Sequence, residues 1–198
     1  MERPHPPADA AGRGVGWGGL KTGIEKFGIM RDSMRAVVLG VGNILLSDEG
    51  IGVHAVNALA ARYEIPAGVE VIDGGTSAMD CLDRIASADL LLIADCVRSA
   101  QEPGTLVRLG DGELQAFFRT RISPHQVGLS DVLATLALHG LSPARTVLIG
   151  AEPKSLALGL EPTPELSAML PAMVEALATE LDAAGFKLEA RGLRHAAE

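Results

Sequence analysis

The chain has 198 residues, of which 47% are hydrophobic, 3% aromatic and 21% charged, and its formal net charge is −8 at pH 7. This acidic balance, without a basic stripe, argues against nucleic acid as a partner. No segment approaches the roughly 20 consecutive apolar residues of a membrane span. The two cysteines, Cys81 and Cys96, show no paired spacing, so we expect reduced core thiols in a cytoplasmic protein with an aliphatic core.

The first 33 residues differ in composition from the rest of the chain. They contain prolines, glycines and the lone Trp17, but neither sustained periodicity nor the apolar stretch of a secretory signal. Met34 directly precedes the first strand and could itself be a start. We therefore expect residues 1–33 to be a flexible N-terminal extension, residues 34–185 a single α/β domain, and residues 186–198 a C-terminal tail.

The first unit of the domain is a strand, a glycine turn and a helix. Residues 36–39 form an apolar run of the kind that is buried on both faces of a sheet. Gly40 and Gly42 follow it and favour a sharp turn. Ser47, Asp48 and Glu49 then predict a helix start, with a hydroxyl cap and two acids facing the positive end of the helix dipole.

A nucleotide site is one interpretation of this unit, because Gly40-Val41-Gly42 begins like G-x-G-x-x-G. Leu45, however, occupies the position of the third glycine, where helix and strand would pack closely. Two acids would also repel a pyrophosphate. An acidic loop is better suited to a metal ion or to proton transfer, and Glu49 carries more weight than Asp48, whose presence capping alone can explain.

Strands and helices alternate through the rest of the domain. In chain order we predict a strand over 69–73, a helix over 78–87 capped by Ser77, a buried strand over 89–95 and a more exposed edge strand over 104–109. A polar link over 113–119 and a loop over 123–126 then lead to a helix over 129–139 and a buried strand over 145–150. A final helix runs from Pro164 to about 184 and is ended by Gly185. This order predicts an α/β fold in three layers, a mostly parallel twisted sheet of about five strands with helices on both faces.

Acids follow several of the predicted strands. Glu49 follows the first strand, Asp73 ends the second, Asp95 ends the third and Glu152 follows the 145–150 strand, while His125 lies in a loop between strands. In such sheets ligands bind beyond the carboxyl ends of the strands, so these side chains are expected at one edge. A single acid there is usually a turn or cap residue, but three at successive strand ends indicate a site.

Glu49, Asp95 and His125 together would supply two carboxylates and one imidazole. That set suits a borderline divalent ion such as Zn²⁺ or Ni²⁺ with open positions, whereas thiolates would be expected of a closed structural zinc site. Asp73 could support the ligands or carry protons. His125 alone could equally be a loop histidine bonded to backbone.

The chain contains, in this order, the four sequence blocks LGVGNILLSDEGIGVHAV, DGGTSAMDCL, LLLIADCV and SPHQVGLSDVL. Together these blocks resemble the maturation endopeptidases of nickel–iron hydrogenases. The resemblance spans about residues 34–184, and the long segment before Met34 departs from it. It implies a soluble α/β protease that removes a short C-terminal extension from the precursor of the hydrogenase large subunit after nickel has been inserted.

Carried over by motif, the resemblance places the metal-contacting positions at Glu49, Asp95 and His125, and the aspartate of the DGGT block at Asp73. It implies that nickel is supplied by the precursor, and that Asp73, Glu49 and Asp95 are the catalytic carboxylates. Water could be activated by the metal or by a carboxylate. A non-cleaving chaperone that checks the same precursor for nickel would need the same ligands and is the alternative, and a nucleotide-dependent enzyme is a third.

Overall fold

The structure, a computed structural model, describes residues 33–120 and 124–192. The strands are β1 Ala36–Val41, β2 Tyr63–Glu64, β3 Val69–Gly75, β4 Leu90–Cys96, β5 Leu106–Gly110, β6 Arg145–Ala151 and β7 Glu189–Ala190. The α-helices are α1 Ile51–Arg62, α2 Leu82–Ile85, α3 Asp111–Thr120, α4 Pro124–Leu138 and α5 Pro164–Ala183, and short 3-10 helices cover Ser47–Gly50 and Ala78–Cys81. Apart from Ser33, the extension predicted for residues 1–33 lies outside the described residues.

The main sheet has five strands in the order β3-β1-β4-β6-β5. The first four are parallel, and β5 pairs with β6 in the antiparallel direction at the edge predicted for it. In the register of the central strands, Gly40 of β1 lies opposite both Asp73 of β3 and Ala94 of β4. The predicted α/β class, with a mostly parallel sheet of about five strands, is confirmed.

The central strands separate two apolar layers. Successive side chains of a strand point to opposite faces, so Val38 and Leu92 join the layer under α1 and α5, while Leu39 and Ile93 join the layer under α2, α3 and α4. This is why 36–39 and 90–94 are apolar at every position rather than at alternate ones. Helices on both faces complete the predicted three layers.

Close packing of α1 on the sheet depends on Gly52. A Cβ atom at Gly52 would lie 2.2 Å from the carbonyl oxygen of Ala94 and 2.4 Å from that of Val41. The glycine in the first turn of α1 therefore brings the helix start, and the residues before it, against the carboxyl ends of β1 and β4.

Three predictions of local structure are wrong. Residues 113–119 are part of helix α3 rather than a link, because Leu114 and Phe117, three residues apart, both pack on the core beneath the sheet. The single helix expected over 78–87 is a 3-10 turn followed by the four-residue α2, and Ser77 makes no side-chain cap bond. The loop expected over 123–126 is, from Pro124 onward, the first turn of α4, which proline favours at a helix start.

The chain beyond Gly185 is more ordered than the predicted tail. Phe186 is buried in the layer under α1 and α5, and Glu189–Ala190 forms the antiparallel pair β2·β7 with Tyr63–Glu64. The domain therefore continues past the expected boundary at residue 185. None of the helices among the described residues is long and apolar enough to span a membrane.

Candidate active site

Glu49 lies in the 3-10 turn between β1 and α1, at the carboxyl edge of the sheet. Its side chain is buried, with the residue 7% exposed. The turn is held close to the end of β1 by Gly42, since a Cβ atom there would lie 1.9 Å from the carbonyl oxygen of Glu49. Ser47, two residues earlier, has a left-handed backbone with φ of 51°, which is uncommon for a residue other than glycine. The position of Glu49 is thus set by unusual backbone conformations at two preceding residues, Gly42 and Ser47.

Asp48 anchors this turn to a distant loop. It is fully buried, and its carboxylate accepts four hydrogen bonds from the chain 106 to 115 residues later. Oδ2 accepts from the backbone N–H groups of Lys154 at 2.8 Å and Ser155 at 2.9 Å. The expectation that Asp48 caps its own helix is therefore wrong: neither Ser47 nor Asp48 makes a side-chain cap bond there. Sequence reasoning missed this function of Asp48 because its partners are remote.

Further bonds pair the same two segments along their backbones. Ser47 donates its N–H to the carbonyl of Gly159 at 2.8 Å, and Gly159 donates to the carbonyl of Leu45 at 3.0 Å. The Ser47 hydroxyl donates to the carbonyl of Glu161 at 2.9 Å. Leu46 and Gly159 consequently form an isolated parallel bridge, and the two loops are one rigid unit beside Glu49.

Asp95 lies at the penultimate position of β4 and is 2% exposed. By the alternation of β4 it shares the face of Leu91 and Ile93, the face covered by α4. One of its carboxylate oxygens, Oδ1, accepts the N–H of Cys96 at 2.7 Å. Its carboxylate therefore lies on the α4 side of the sheet, at the same carboxyl edge as Glu49.

The pKa of the Cys96 thiol depends on burial and on the negative charge at this edge of the sheet. Burial raises the pKa of Cys96, and the carboxylates of Asp95 and Glu49 raise it further. The negative charge of this edge of the sheet therefore adds to the effect of burial on the thiol. The predicted reduced core thiols are present, since Cys81 and Cys96 are both buried and free.

Asp73 lies at the same edge but on the other face of the sheet. In β3, Ile72 joins the layer under α4, so Asp73 faces the α1 side together with Val71. It is exposed, and Oδ1 accepts the N–H of Gly75 at 3.0 Å. Because β1 runs between β3 and β4, the backbones of Asp73 and Asp95 are two strand spacings apart, on the order of 10 Å.

A cleft of about 310 Å³ adjoins Asp73. It runs between the glycine turn after β1 and the turn that ends β3. Its walls are formed by Gly42, Asn43, Ile44, Leu45, Val53, Asp73, Gly75 and Thr76. The cleft therefore combines a carboxylate with an apolar wall.

The backbone of His125 lies in the first turn of α4, whose later residues Leu129 and Val132 pack on the sheet face that carries Asp95. The other end of α4 leads to Leu141, which accepts the N–H of Ser87 near the start of β4, so the helix begins at the carboxyl edge. The side chain of His125 lies outside the described part of the structure. Among the side chains that the structure does describe, no three histidines, cysteines, aspartates or glutamates are grouped as metal ligands.

Glu152, the fourth acid expected at the edge, organises the segment after β4. Its Oε2 accepts the N–H of Ser99 at 2.5 Å, the hydroxyl of Ser99 at 2.7 Å and the N–H of Gln101 at 3.3 Å. This carboxylate is therefore engaged in holding a loop.

A mostly parallel sheet with buried carboxylates at its carboxyl edge and a cleft beside a further aspartate is the arrangement of an α/β protein with a candidate active site at that edge. The sequence pattern of the hydrogenase maturation proteases matches residues 53–180. The chain therefore belongs to the hydrogenase maturation protease family, and it is an endopeptidase.

Individual relatives agree with this assignment. Hydrogenase 2 maturation protease of Escherichia coli is 48% identical over 147 residues, which cover 73% of this chain and 90% of that protein. The hydrogenase expression/formation protein HupD of Rhodobacter capsulatus is 42% identical over 62% of this chain and 59% of its own length. Among solved structures, the hydrogenase maturating endopeptidase HybD from E. coli superposes with a TM-score of 0.77 at 45% identity, covering 80% of this chain and 98% of that one.

Proposed function

We propose that this endopeptidase removes the C-terminal extension from the nickel-loaded precursor of a nickel–iron hydrogenase large subunit. The observation that carries the proposal is the burial of two acids, Glu49 and Asp95, at the carboxyl edge of the sheet. Burying two like charges is costly, and a divalent cation brought by the substrate would offset that cost. Nickel is then part of the substrate.

In this proposal Glu49, Asp95 and His125 contact the nickel of the precursor. The donor chemistry fits, since carboxylates and imidazole are ligands of borderline divalent ions, and the start of α4 places the backbone of His125 on the Asp95 face. The metal would supply positive charge near the scissile bond. Asp73, exposed beside the cleft, is the group with access to solvent and would carry a proton to or from the reacting water.

The alternative is a chaperone that checks the precursor for nickel without cutting it. Its ligands would be the same. The exposed Asp73 beside a cleft favours cleavage, because a checking protein has no use for a solvent-accessible proton carrier at the same edge of the sheet. The relatives that resemble the chain over most of its described length are also named as proteases.

We further propose that processing takes place in the cytoplasm. Two buried cysteines remain free in the structure, which suits a reducing compartment.

The test is the mass of the precursor after incubation with the purified full-length protein, with and without nickel in the precursor. We expect loss of the C-terminal extension only in the nickel-loaded sample. Asp95→Asn should slow this cleavage by at least about 100-fold, because the amide keeps the shape of the carboxylate but loses its charge.

The matched control is Asp89→Asn, which changes the acid just before the other end of the same strand. Asp89 accepts the N–H of Arg35 at 2.7 Å, far from the carboxyl edge, so its loss should leave the cleavage rate unchanged. A precursor that binds in a nickel-dependent way but keeps its full mass would establish the chaperone instead. Equal cleavage by the Asp95 variant and the wild type would remove Asp95 from the site.

A further inference from the structure

Exposed apolar side chains are concentrated at the carboxyl edge of the sheet. Among the described residues, Ile44, Leu45, Met79, Leu158 and Leu160 are exposed there, whereas Met34, Leu138 and Leu141 are exposed at the opposite end. Four of the first group belong to the two loops that Asp48 and Ser47 join. We call Ile44, Leu45, Leu158 and Leu160 the apolar platform.

The register of the two loops places the platform leucines side by side. Leu46 pairs with Gly159 in a parallel bridge, so the preceding residues Leu45 and Leu158 lie opposite each other. Their backbones are about 4.8 Å apart, the usual spacing of paired strands. The bonds of Gly159 to Leu45 and Ser47 fix this arrangement at 2.8–3.0 Å. The leucines are thus neighbours on one surface rather than scattered exposed residues.

The platform is rigid as well as apolar. Four hydrogen bonds to the buried Asp48 carboxylate and the Ser47 hydroxyl bond hold the 154–163 segment against the turn of Glu49. A loop held this firmly cannot fold its leucines inward to escape water. Rigid exposed aliphatic groups contribute nothing to the stability of the isolated domain, but they make a pre-formed binding surface.

The platform is continuous with the candidate active site. Ile44 and Leu45 form one wall of the 310 Å³ cleft, and Asp73 and Thr76 belong to the other. A polypeptide in the cleft beside Asp73 would contact Leu45, and the bridge of Leu46 to Gly159 puts Leu158 and Leu160 next to that wall.

We infer that the apolar platform binds an aliphatic segment of the large-subunit precursor next to the scissile bond, an inference that rests on the proposed function. The occupant is a polypeptide with apolar side chains, because the platform offers aliphatic surface and the adjoining cleft offers a carboxylate only at Asp73. The platform thus supplies affinity for the precursor, while Glu49 and Asp95 contact the nickel when it is present.

The experiment measures kcat and KM for cleavage of the nickel-loaded precursor by the full-length wild type and two leucine variants. The double variant L158S/L160S removes the outer part of the platform without touching the cleft. Because both side chains are exposed, its melting temperature should equal that of the wild type. We expect KM to rise about tenfold with kcat unchanged, from the lost burial of two aliphatic side chains.

The matched control is Leu138→Ser. Leu138 is 85% exposed and Leu158 87% exposed, but Leu138 ends α4 at the opposite end of the sheet. Its KM should stay within about twofold of the wild type. An unchanged KM in the double variant, or an equal rise in the control, would overturn the inference while leaving the proposed function intact.

Two further outcomes are decisive. A wild type that never shortens the nickel-loaded precursor would refute the proposed function, and the inference would fall with it. Light scattering gives the oligomeric state of the same samples: a wild-type dimer that L158S/L160S converts to a monomer would show that a second copy of the chain covers the platform, which would overturn the inference.

Discussion

Asp48 and Thr163 are joined by two hydrogen bonds across 115 residues of sequence: Oδ1 accepts the N–H of Thr163 at 2.6 Å, and Oδ2 accepts its hydroxyl at 3.0 Å. Thr163 is the residue before α5, and its hydroxyl makes no cap bond to that helix. The aspartate of the first βα loop therefore fixes the start of the last long helix. Because Glu49 follows Asp48 directly, the same contact ties the candidate site to the start of α5.

Replacing Asp48 with alanine should destabilise the protein strongly. The substitution leaves three backbone N–H groups without their acceptor and empties a fully buried position, so we expect the free energy of unfolding to fall by about 2–4 kcal/mol. Thr163→Val removes only the hydroxyl bond and should cost about 1 kcal/mol. Chemical denaturation measures both, and Asp83→Ala, an exposed acid in α2, should change stability by only about 0.5 kcal/mol. Equal effects of Asp48→Ala and Asp83→Ala would contradict the anchoring function.

Gly42→Ala should displace Glu49. A methyl group at Gly42 would meet the carbonyl of Glu49 at 1.9 Å, and φ of 137° is unfavourable for alanine. We expect a loss of at least about 2 kcal/mol in stability together with slower precursor cleavage. Gly112→Ala is the control, since nothing lies within 4 Å of its added methyl group and helix α3 should gain about 0.5–1 kcal/mol. A Gly42 variant with wild-type melting temperature and activity would disprove the contact.

Glu180 should make stability depend on pH. Its carboxylate accepts from Arg108 of β5 at 2.6 Å and from Arg145 of β6 at 2.7 Å, and the bond from Arg108 lowers its pKa in spite of burial. A pKa lowered by folding stabilises the protein above the unfolded value of about 4.3, and this stabilisation is lost as the pH falls through the folded value.

Glu180→Gln should therefore cost about 1–2 kcal/mol near neutral pH, and the difference from wild type should shrink below about pH 4. Urea unfolding at several pH values measures this difference in the free energy of unfolding. Glu175→Gln, on the exposed side of the same helix, is the control and should cost at most about 1 kcal/mol. A Glu180 effect that is constant from neutral to acidic pH would mean that its ion pairs do not stabilise the fold.

The native thiols should be unreactive. Burial raises the pKa of Cys81, and burial with the charge of Asp95 raises that of Cys96, so little thiolate exists at about pH 8 in either case. Iodoacetamide should label neither residue in the folded protein and both after unfolding, as the mass of the protein will show. Rapid labelling of the native chain would contradict the described burial.

The sequence predicted the sheet well because its central strands are buried on both faces. Residues 36–39, 90–94 and 147–149 are apolar at every position, which few other structures require. It failed at α3, where polar residues surround Leu114 and Phe117, the two described side chains of that helix that pack on the core, and at Ser77, where a short 3-10 turn replaced the expected cap. Local pattern is weak evidence wherever a segment contributes only one or two residues to the core.

What the sequence by itself determined is the fold class, the family, and the acids at the strand ends, because strand burial and the motif blocks are local properties of the chain. Only the tertiary structure decided how those acids are arranged. Asp95 and Asp73 lie near the carboxyl ends of β4 and β3, the two strands that flank β1, yet they face opposite sides of the sheet. The register of each strand with β1 decides which face each residue occupies. Asp48, which looked like a cap, proved to anchor a loop more than 100 residues away. Register and long-range hydrogen bonds exist only after the chain has folded, so no local pattern encodes them.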